Sequence, residues 1–147
     1  MFIRLAPRLA LATAILAAAG AIAYANGNSS HAESTAADLA GTSWMLTELE
    51  GMPGAEGVDT TLTFHEDGGL GGNGGCNSYG GSVSFEDANG IDISEVFSTM
   101  MACEEPKMGQ EQHYFRALEA ATNFTLDGDV LTLSDDVDNP LVVLSRD

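Results

Sequence analysis

Two cysteines are the first candidates for chemistry in this sequence: Cys76, in GGCNSY, and Cys103, in TMMAC. Such a pair can form a disulfide, act as a redox couple, bind a metal or supply a thiol nucleophile. The spacing is not the Cys-x-x-Cys of redox pairs, and neither cysteine has a histidine close in sequence to serve as a ligand or base. We therefore predict a structural disulfide, which the chain-entropy model values at about 3–4 kcal/mol for a loop of this length.

Glu111 is the candidate for acid–base chemistry. It lies one turn before Phe115 and therefore points to the packed side of a predicted helix. It can either accept hydrogen bonds from a neighbouring loop or act as a general acid or base in a cleft. We favour the loop interpretation, because the sequence places no nucleophile or second base beside it.

A glycine tract at residues 68–75, GGLGGNGG, contains G-x-G-x-x-G at Gly69, Gly71 and Gly74. A dinucleotide fingerprint requires a helix that begins at the end of the motif, so that its N-terminus meets the pyrophosphate. Here the tract continues through Gly75 into Cys76 and no helical pattern follows directly. We predict a strand with bulges and tight bends, and no nucleotide cofactor.

Histidines and acidic clusters give no metal site. His31, His65 and His113 are scattered along the chain, and the acidic stretch from Asp135 to Asn139 lacks the glycine and terminal glutamate of a calcium-binding loop. We expect a solvated acidic turn there, and neither a metal nor another cofactor.

Short apolar runs predict the strands that must position these residues. In the first strand, Trp44 and Leu46 alternate onto one face and Leu49 onto the other. In the hairpin around Asn89-Gly90, Phe97 shares the face of Ile91 and Ile93. The predicted strands and hairpins cover Ser43–Leu49, Thr60–Phe64, residues 79–97, residues 124–133 and residues 141–144.

One helix is predicted over Pro106–Ala121, with Met108, Phe115 and Leu118 at helical spacing and a proline near the first turn. A single helix among antiparallel strands indicates a mainly β fold of the α+β type. We expect a small antiparallel curved sheet or barrel with one packed α-helix.

Charge and the N-terminal segment indicate where the protein works. The chain has 22 Asp and Glu against 5 Lys and Arg, a net charge of -17, which argues against nucleic-acid partners. Residues 1–25, a basic start and an Ala-rich run ending in Ala-Tyr-Ala, read as a signal peptide. Residues 26–38 read as a flexible leader and residues 39–147 as the folded domain. We expect a periplasmic or secreted protein of the bacterial envelope, without stable membrane insertion after cleavage.

Several motifs, taken in order, resemble the META domain, the family of heat-shock protein HslJ. The resemblance rests on GTSWMLTELEG with Trp44, GNGGCNSYGGS with Asn77, STMMAC with Met101, and the helix MGQEQHYFRAL with Glu111. It implies a small mainly β fold with one helix, exported bacterial members, paired cysteines at positions 76 and 103, and links to stress tolerance and motility. It implies no catalytic residues. We expect Trp44, Gly74, Gly75, Asn77, Met101 and Glu111 to be structural.

Three functional hypotheses follow. The first is a monomeric, non-enzymatic envelope module that binds an unidentified envelope protein or supports stress tolerance, which an exposed apolar patch would favour. The second is a barrel with a small apolar ligand inside. The third is an enzyme that uses Glu111. We adopt the first hypothesis.

Overall fold

The computed structural model describes residues 35–147. The predicted signal peptide and most of the predicted leader lie outside the described residues. A short helix, α1, at Ala36–Leu39 starts the structure, and Asp38 Oδ2 accepts hydrogen bonds from the backbone N–H of Thr35 at 2.8 Å and from its hydroxyl at 2.9 Å. Leu39 is fully buried. Regular structure therefore begins a few residues before the predicted boundary at Leu39, because these local hydrogen bonds hold the first turn.

Among residues 35–147, nine strands form one antiparallel sheet, and one long helix packs against it. The longer of the two helices, α2, spans Lys107–Ala120 with Pro106 as its N-cap, which matches the predicted segment. The strands are β1 Ser43–Leu49, β2 Met52–Pro53, β3 Thr61–Phe64, β4 Gly69–Asn73, β5 Ser78–Glu86, β6 Gly90–Ser98, β7 Asn123–Asp127, β8 Val130–Ser134 and β9 Pro140–Arg146.

The sheet curves almost into a ring because β1 has neighbours on both edges. It pairs with β3 at Ser43–Met45 and with β9 between Trp44 and Leu49. At the weakest junction, β6 and β7 share the pair Gly90 and Asn123. The prediction of a mainly β fold with a curved antiparallel sheet and one packed helix is confirmed.

The concave side of the sheet and the packed face of α2 enclose the hydrophobic core. Trp44 is fully buried, its indole N–H donates to Thr42 Oγ1 at 2.7 Å, and the Arg146 guanidinium lies 4.5 Å from its ring centre. The helix contributes Tyr114, Ala117 and Leu118. The other large fully buried side chains are Phe64, Phe124, Leu39, Leu62, Leu131, Leu133, Leu144 and Val142.

Two predicted side-chain directions are wrong, each because of a β-bulge. An extra residue in β6 between Ser94 and Phe97, where Glu95 has φ 54°, places Phe97 on the outer surface, opposite Ile93. An irregularity in β1 between Leu46 and Glu48 turns Leu49 toward the core, the side on which Trp44 is buried. A bulge shifts the two-residue alternation by one, so every later side chain changes face.

None of the helices within residues 35–147 has the length and apolar character needed to cross a membrane.

Candidate functional site

A disulfide joins Cys76, between β4 and β5, to Cys103, in the segment between β6 and α2. Their Cα atoms are 5.9 Å apart and the sequence separation is 27. The predicted disulfide is present. It fixes the start of β5 to the segment that leads into α2.

Glu111, on α2, contacts the loop that carries Cys76 and is only 3% exposed. Its Oε2 accepts hydrogen bonds from the backbone N–H groups of Cys76, at 2.9 Å, and of Asn77. Its Oε1 accepts the side-chain N–H of Asn77 at 2.7 Å. These are the loop hydrogen bonds expected from the sequence. Since the carboxylate pairs with no Lys or Arg in the described region, N–H dipoles alone compensate its burial.

Asn77 extends the contact from the helix to the segment after β6. Its Oδ1 accepts the backbone N–H of Met101 at 2.7 Å and the hydroxyl of Thr99 at 2.9 Å, and its Nδ2 donates to the carbonyl of Met101 at 3.2 Å. The side chain is buried, and both its amide oxygen and its amide nitrogen are hydrogen-bonded. Asn77 therefore links α2, the start of β5 and the backbone at Met101.

Two glycines of the tract allow the loop to approach α2 closely. A Cβ at Gly74 would lie 2.7 Å from Phe115 Cζ and 2.9 Å from Glu111 Cγ. Gly75 has φ +125°, and a Cβ there would lie 3.0 Å from Val58 Cγ1. Both positions exclude a side chain, so the tract serves packing in this structure.

Gln110 links α2 to Ala55 and Thr60, a role that was not predicted from the sequence. Its Nε2 donates to Thr60 Oγ1 at 2.9 Å, its Oε1 accepts the N–H of Ala55 at 2.5 Å, and the Thr60 hydroxyl donates to the Gly74 carbonyl at 3.1 Å. A polar residue beside Glu111 was visible in the sequence, but its partners lie 50 and 55 positions away. No local pattern could have identified them.

A buried pair of tyrosines, also missed, lies between the sheet and the helix. The hydroxyls of Tyr79 and Tyr114 are 2.8 Å apart, and Tyr79 also donates to the carbonyl of Thr61 at 2.8 Å. Burial raises the pKa of both phenols well above the usual value for tyrosine. Both therefore stay protonated at physiological pH and act as hydrogen-bonding groups.

Beyond the disulfide, residues 97–101 present apolar side chains to solvent; we call these residues the apolar segment. Phe97 is 69% exposed, Met100 97% and Met101 57%. The ring of Phe97 lies against Gly80, where a Cβ would approach Phe97 Cζ to 2.7 Å. The backbone is held by the Asn77 contacts to Met101 and by the Thr99 N–H, which donates to the carbonyl of Ser78 at 3.0 Å.

A groove of about 400 Å³ lies between the β1–β2 turn and the first half of α2. His113 Nδ1 and Glu50 Oε2 are 3.4 Å apart within it. A smaller cavity of about 320 Å³ lies beside Cys103. Glu111 lines neither of these two. The groove is lined by Leu49, Glu50, Met52, Pro53, Ala55, Glu105, Pro106, Gly109, Gln110 and His113.

The described residues contain no group of three or more His, Cys, Asp or Glu side chains placed to hold a metal ion. At the predicted acidic turn, Asp135 Oδ1 accepts the N–H groups of Val137 at 3.1 Å and Asn139 at 2.8 Å. Hydrogen bonds from Asn139, first its side chain and then its backbone, lower the pKa of Asp135. This carboxylate closes a turn. His31 lies outside the described residues.

The sequence profile of the META domain matches residues 37–147. The chain belongs to the META domain family. This family is also described as HslJ-like, so the resemblance seen in the motifs is confirmed. No curated protein matches this META domain chain.

Solved structures share the fold of this META domain. An NMR structure of a protein from Burkholderia xenovorans is 26% identical with a TM-score of 0.59, over 74% of this chain and 83% of that one. A second NMR structure is 18% identical with a TM-score of 0.61, over 76% and 94%. A crystal structure of a DUF4847 family protein from Bacteroides vulgatus is 15% identical with a TM-score of 0.54, over 74% and 94%. The last two show the fold alone.

Proposed function

We propose that this META domain protein is an exported, non-enzymatic binding module that contacts a protein partner of the cell envelope through the apolar segment and thereby supports envelope stress tolerance. The disulfide supports export, because disulfides persist in oxidising compartments such as the periplasm.

The observation that carries this proposal is the exposure of Phe97, Met100 and Met101 on a held backbone. Methionine side chains adapt to varied apolar surfaces, and aromatic side chains supply large contact areas. Because Asn77 already fixes the backbone at Met101, a partner would have to order only the side chains. Such preorganisation lowers the entropy cost of binding.

Charge indicates the chemistry of the partner. The net charge is -17, and Glu104 and Glu105 follow the apolar segment closely in sequence. Like-charged surfaces repel and complementary surfaces associate faster. The partner surface should therefore be apolar at its centre and basic at its rim.

The polar contacts support a structural role for Glu111 over a catalytic one. Both carboxylate oxygens already accept hydrogen bonds from residues 76–77, and neither cavity described above reaches the carboxylate. The curved sheet encloses packed side chains of the core, which gives no support to an apolar ligand inside it.

Affinity capture from envelope extract tests the proposal. Replacing Met100 and Met101 together with serine keeps the backbone contacts of Asn77 and should abolish capture of a specific partner. Val137→Ser is the matched control, since Val137 is 69% exposed and lies outside the apolar segment. Capture that survives the double substitution, at unchanged thermal stability, would contradict the proposal.

Export is tested separately. Mass spectrometry of the protein from the periplasm or medium should show a chain that begins at Asn26. A chain that is found only inside the cell with residues 1–25 intact would contradict export.

A further inference from the structure

We propose that the groove between the β1–β2 turn and α2 binds a small amphiphilic amine, a molecule with one ammonium or guanidinium group on an apolar chain. The groove is separate from the apolar segment, so this inference does not depend on the proposed function.

The groove has the size and apolar lining of a small-molecule site. Its volume of about 400 Å³ is within the range of roughly 300–1,000 Å³ typical of ligand pockets. Five of its lining residues offer apolar surface to an alkyl or aryl chain: Leu49, Met52, Pro53, Ala55 and Pro106.

The polar groups of the groove favour a cation. Glu50 and Glu105 are its two carboxylates, and no Lys or Arg is among its lining residues. The amide of Gln110 is held by the protein itself, since Oε1 accepts the N–H of Ala55 and Nε2 donates to Thr60 Oγ1. The remaining titratable group, His113, faces Glu50.

Each carboxylate is oriented by one contact and keeps an oxygen for a ligand. Glu105 Oε2 accepts the N–H of Gly109 at 3.0 Å, and Glu50 Oε2 lies 3.4 Å from His113 Nδ1. No partner from residues 35–147 occupies either Oε1. The first turn of α2 contributes about half a positive charge, which is less than the two full charges of the carboxylates.

The electric field from the net charge of the protein also favours a cationic ligand. With a net charge of -17, the surface repels anions and attracts cations at low ionic strength. Apolar lining, two carboxylates and this field together distinguish an amine from a neutral or acidic ligand.

The test compares three probes of one size, hexylammonium, hexan-1-ol and hexanoate, on the isotopically labelled full chain at about 0.15 M sodium chloride, where long-range attraction is screened. We expect hexylammonium to bind about threefold to tenfold more tightly than hexan-1-ol. This is the gain in affinity that two partly exposed ion pairs typically give. The amide resonances of Ala55, Gly109 and His113 should shift in NMR spectra.

Combined Glu50→Gln and Glu105→Gln substitutions should remove the preference for hexylammonium and leave the binding of hexan-1-ol unchanged. Glutamine at position 105 can still accept the N–H of Gly109, so the helix start should persist. Glu119→Gln is the matched control, because it removes the same charge from an exposed site of α2 outside the groove.

Three results would overturn the proposal. These are equal binding of hexylammonium and hexan-1-ol, resonance shifts confined to residues outside the groove, and equal loss of hexylammonium binding in Glu119→Gln. A fourth arm uses a lysine-containing tripeptide and its norleucine counterpart. If only the lysine peptide binds, and hexylammonium does not, the small-amine proposal is overturned as well, and the occupant is a side chain of a protein.

Discussion

Glu111 holds Asn77 at two points: Oε2 accepts its backbone N–H and Oε1 accepts its side-chain amide at 2.7 Å, although 34 residues separate the two. The rest of the Asn77 side chain is hydrogen-bonded to Met101 and Thr99. A carboxylate of the helix therefore contributes to the position of the apolar segment through one intervening side chain, together with the Thr99 N–H bond to Ser78.

Glu111→Gln should lower the free energy of unfolding by about 1–3 kcal/mol, since a neutral amide loses charge-assisted hydrogen bonds and turns an N–H group toward donors. Urea unfolding measures this, with Glu119→Gln as the exposed control. An unchanged stability combined with lost partner capture would instead place Glu111 in a binding or active site.

Replacing Cys76 and Cys103 together with serine should lower the free energy of unfolding by about 3–4 kcal/mol, because the unfolded chain gains the freedom of an open loop. The unfolding midpoint in urea reports this loss. Thiol counting on the denatured, non-reduced protein should find no free thiol; two per chain would refute the disulfide.

Gly74→Ala should destabilise the fold by about 1–3 kcal/mol, because its methyl group would meet Phe115 and Glu111 at less than van der Waals distance. Gly54→Ala is the control. A Cβ at Gly54 would have ordinary contacts of 3.8–3.9 Å and a permitted φ. Thermal melting of the two variants should separate them clearly, and equal melting temperatures would show that the loop can move away from α2.

The tyrosine pair should make stability sensitive to alkali. The native state keeps both phenols protonated, so the stability is complete below the unfolded pKa of about 10 and is lost as the pH rises above it. In the chain that begins at Asn26, as proposed above, Tyr79 and Tyr114 are the remaining tyrosines. Tyrosinate absorbance should then appear together with unfolding. Ionisation near pH 10 in the folded protein would contradict the buried pair.

Salt should stabilise the protein, because 22 acidic residues face only 5 basic ones. Repulsion between exposed carboxylates is screened over about 8–10 Å at 0.1–0.15 M salt, so the melting temperature should rise below that range and level off above it. A sodium chloride series with and without calcium measures this. A much larger effect of calcium at equal ionic strength would indicate a specific site.

Sequence patterns predicted the parts of this molecule that follow local rules. The helix around Glu111 and the alternation at Leu62 and Phe64 have signals within a few residues. The cysteine pair, 27 positions apart, was predictable because the chain has two cysteines. The faces of the sheet on which Phe97 and Leu49 lie could not be predicted. Each depends on a β-bulge, and the residue types around a bulge of one extra residue do not reveal it.

The candidate site was predictable only in part for a similar reason. The type of contact made by Glu111 followed from the helix face, but its partners depend on how the ring brings distant strands together. Gln110 with Thr60, and Tyr79 with Tyr114, meet across 50 and 35 positions. The groove arises from the β1–β2 turn, whose short strand Met52–Pro53 no alternation predicts.

The pairing of β1 with β9 also dictates when the fold can form. Trp44 lies opposite Arg146, so the first strand to be synthesised lacks one of the three strands with which it pairs until residues 140–146 exist. While that stretch is still in the ribosome, the ring is open and Trp44 lacks the contact with Arg146. Completion of the fold is therefore a late event in the synthesis of the chain.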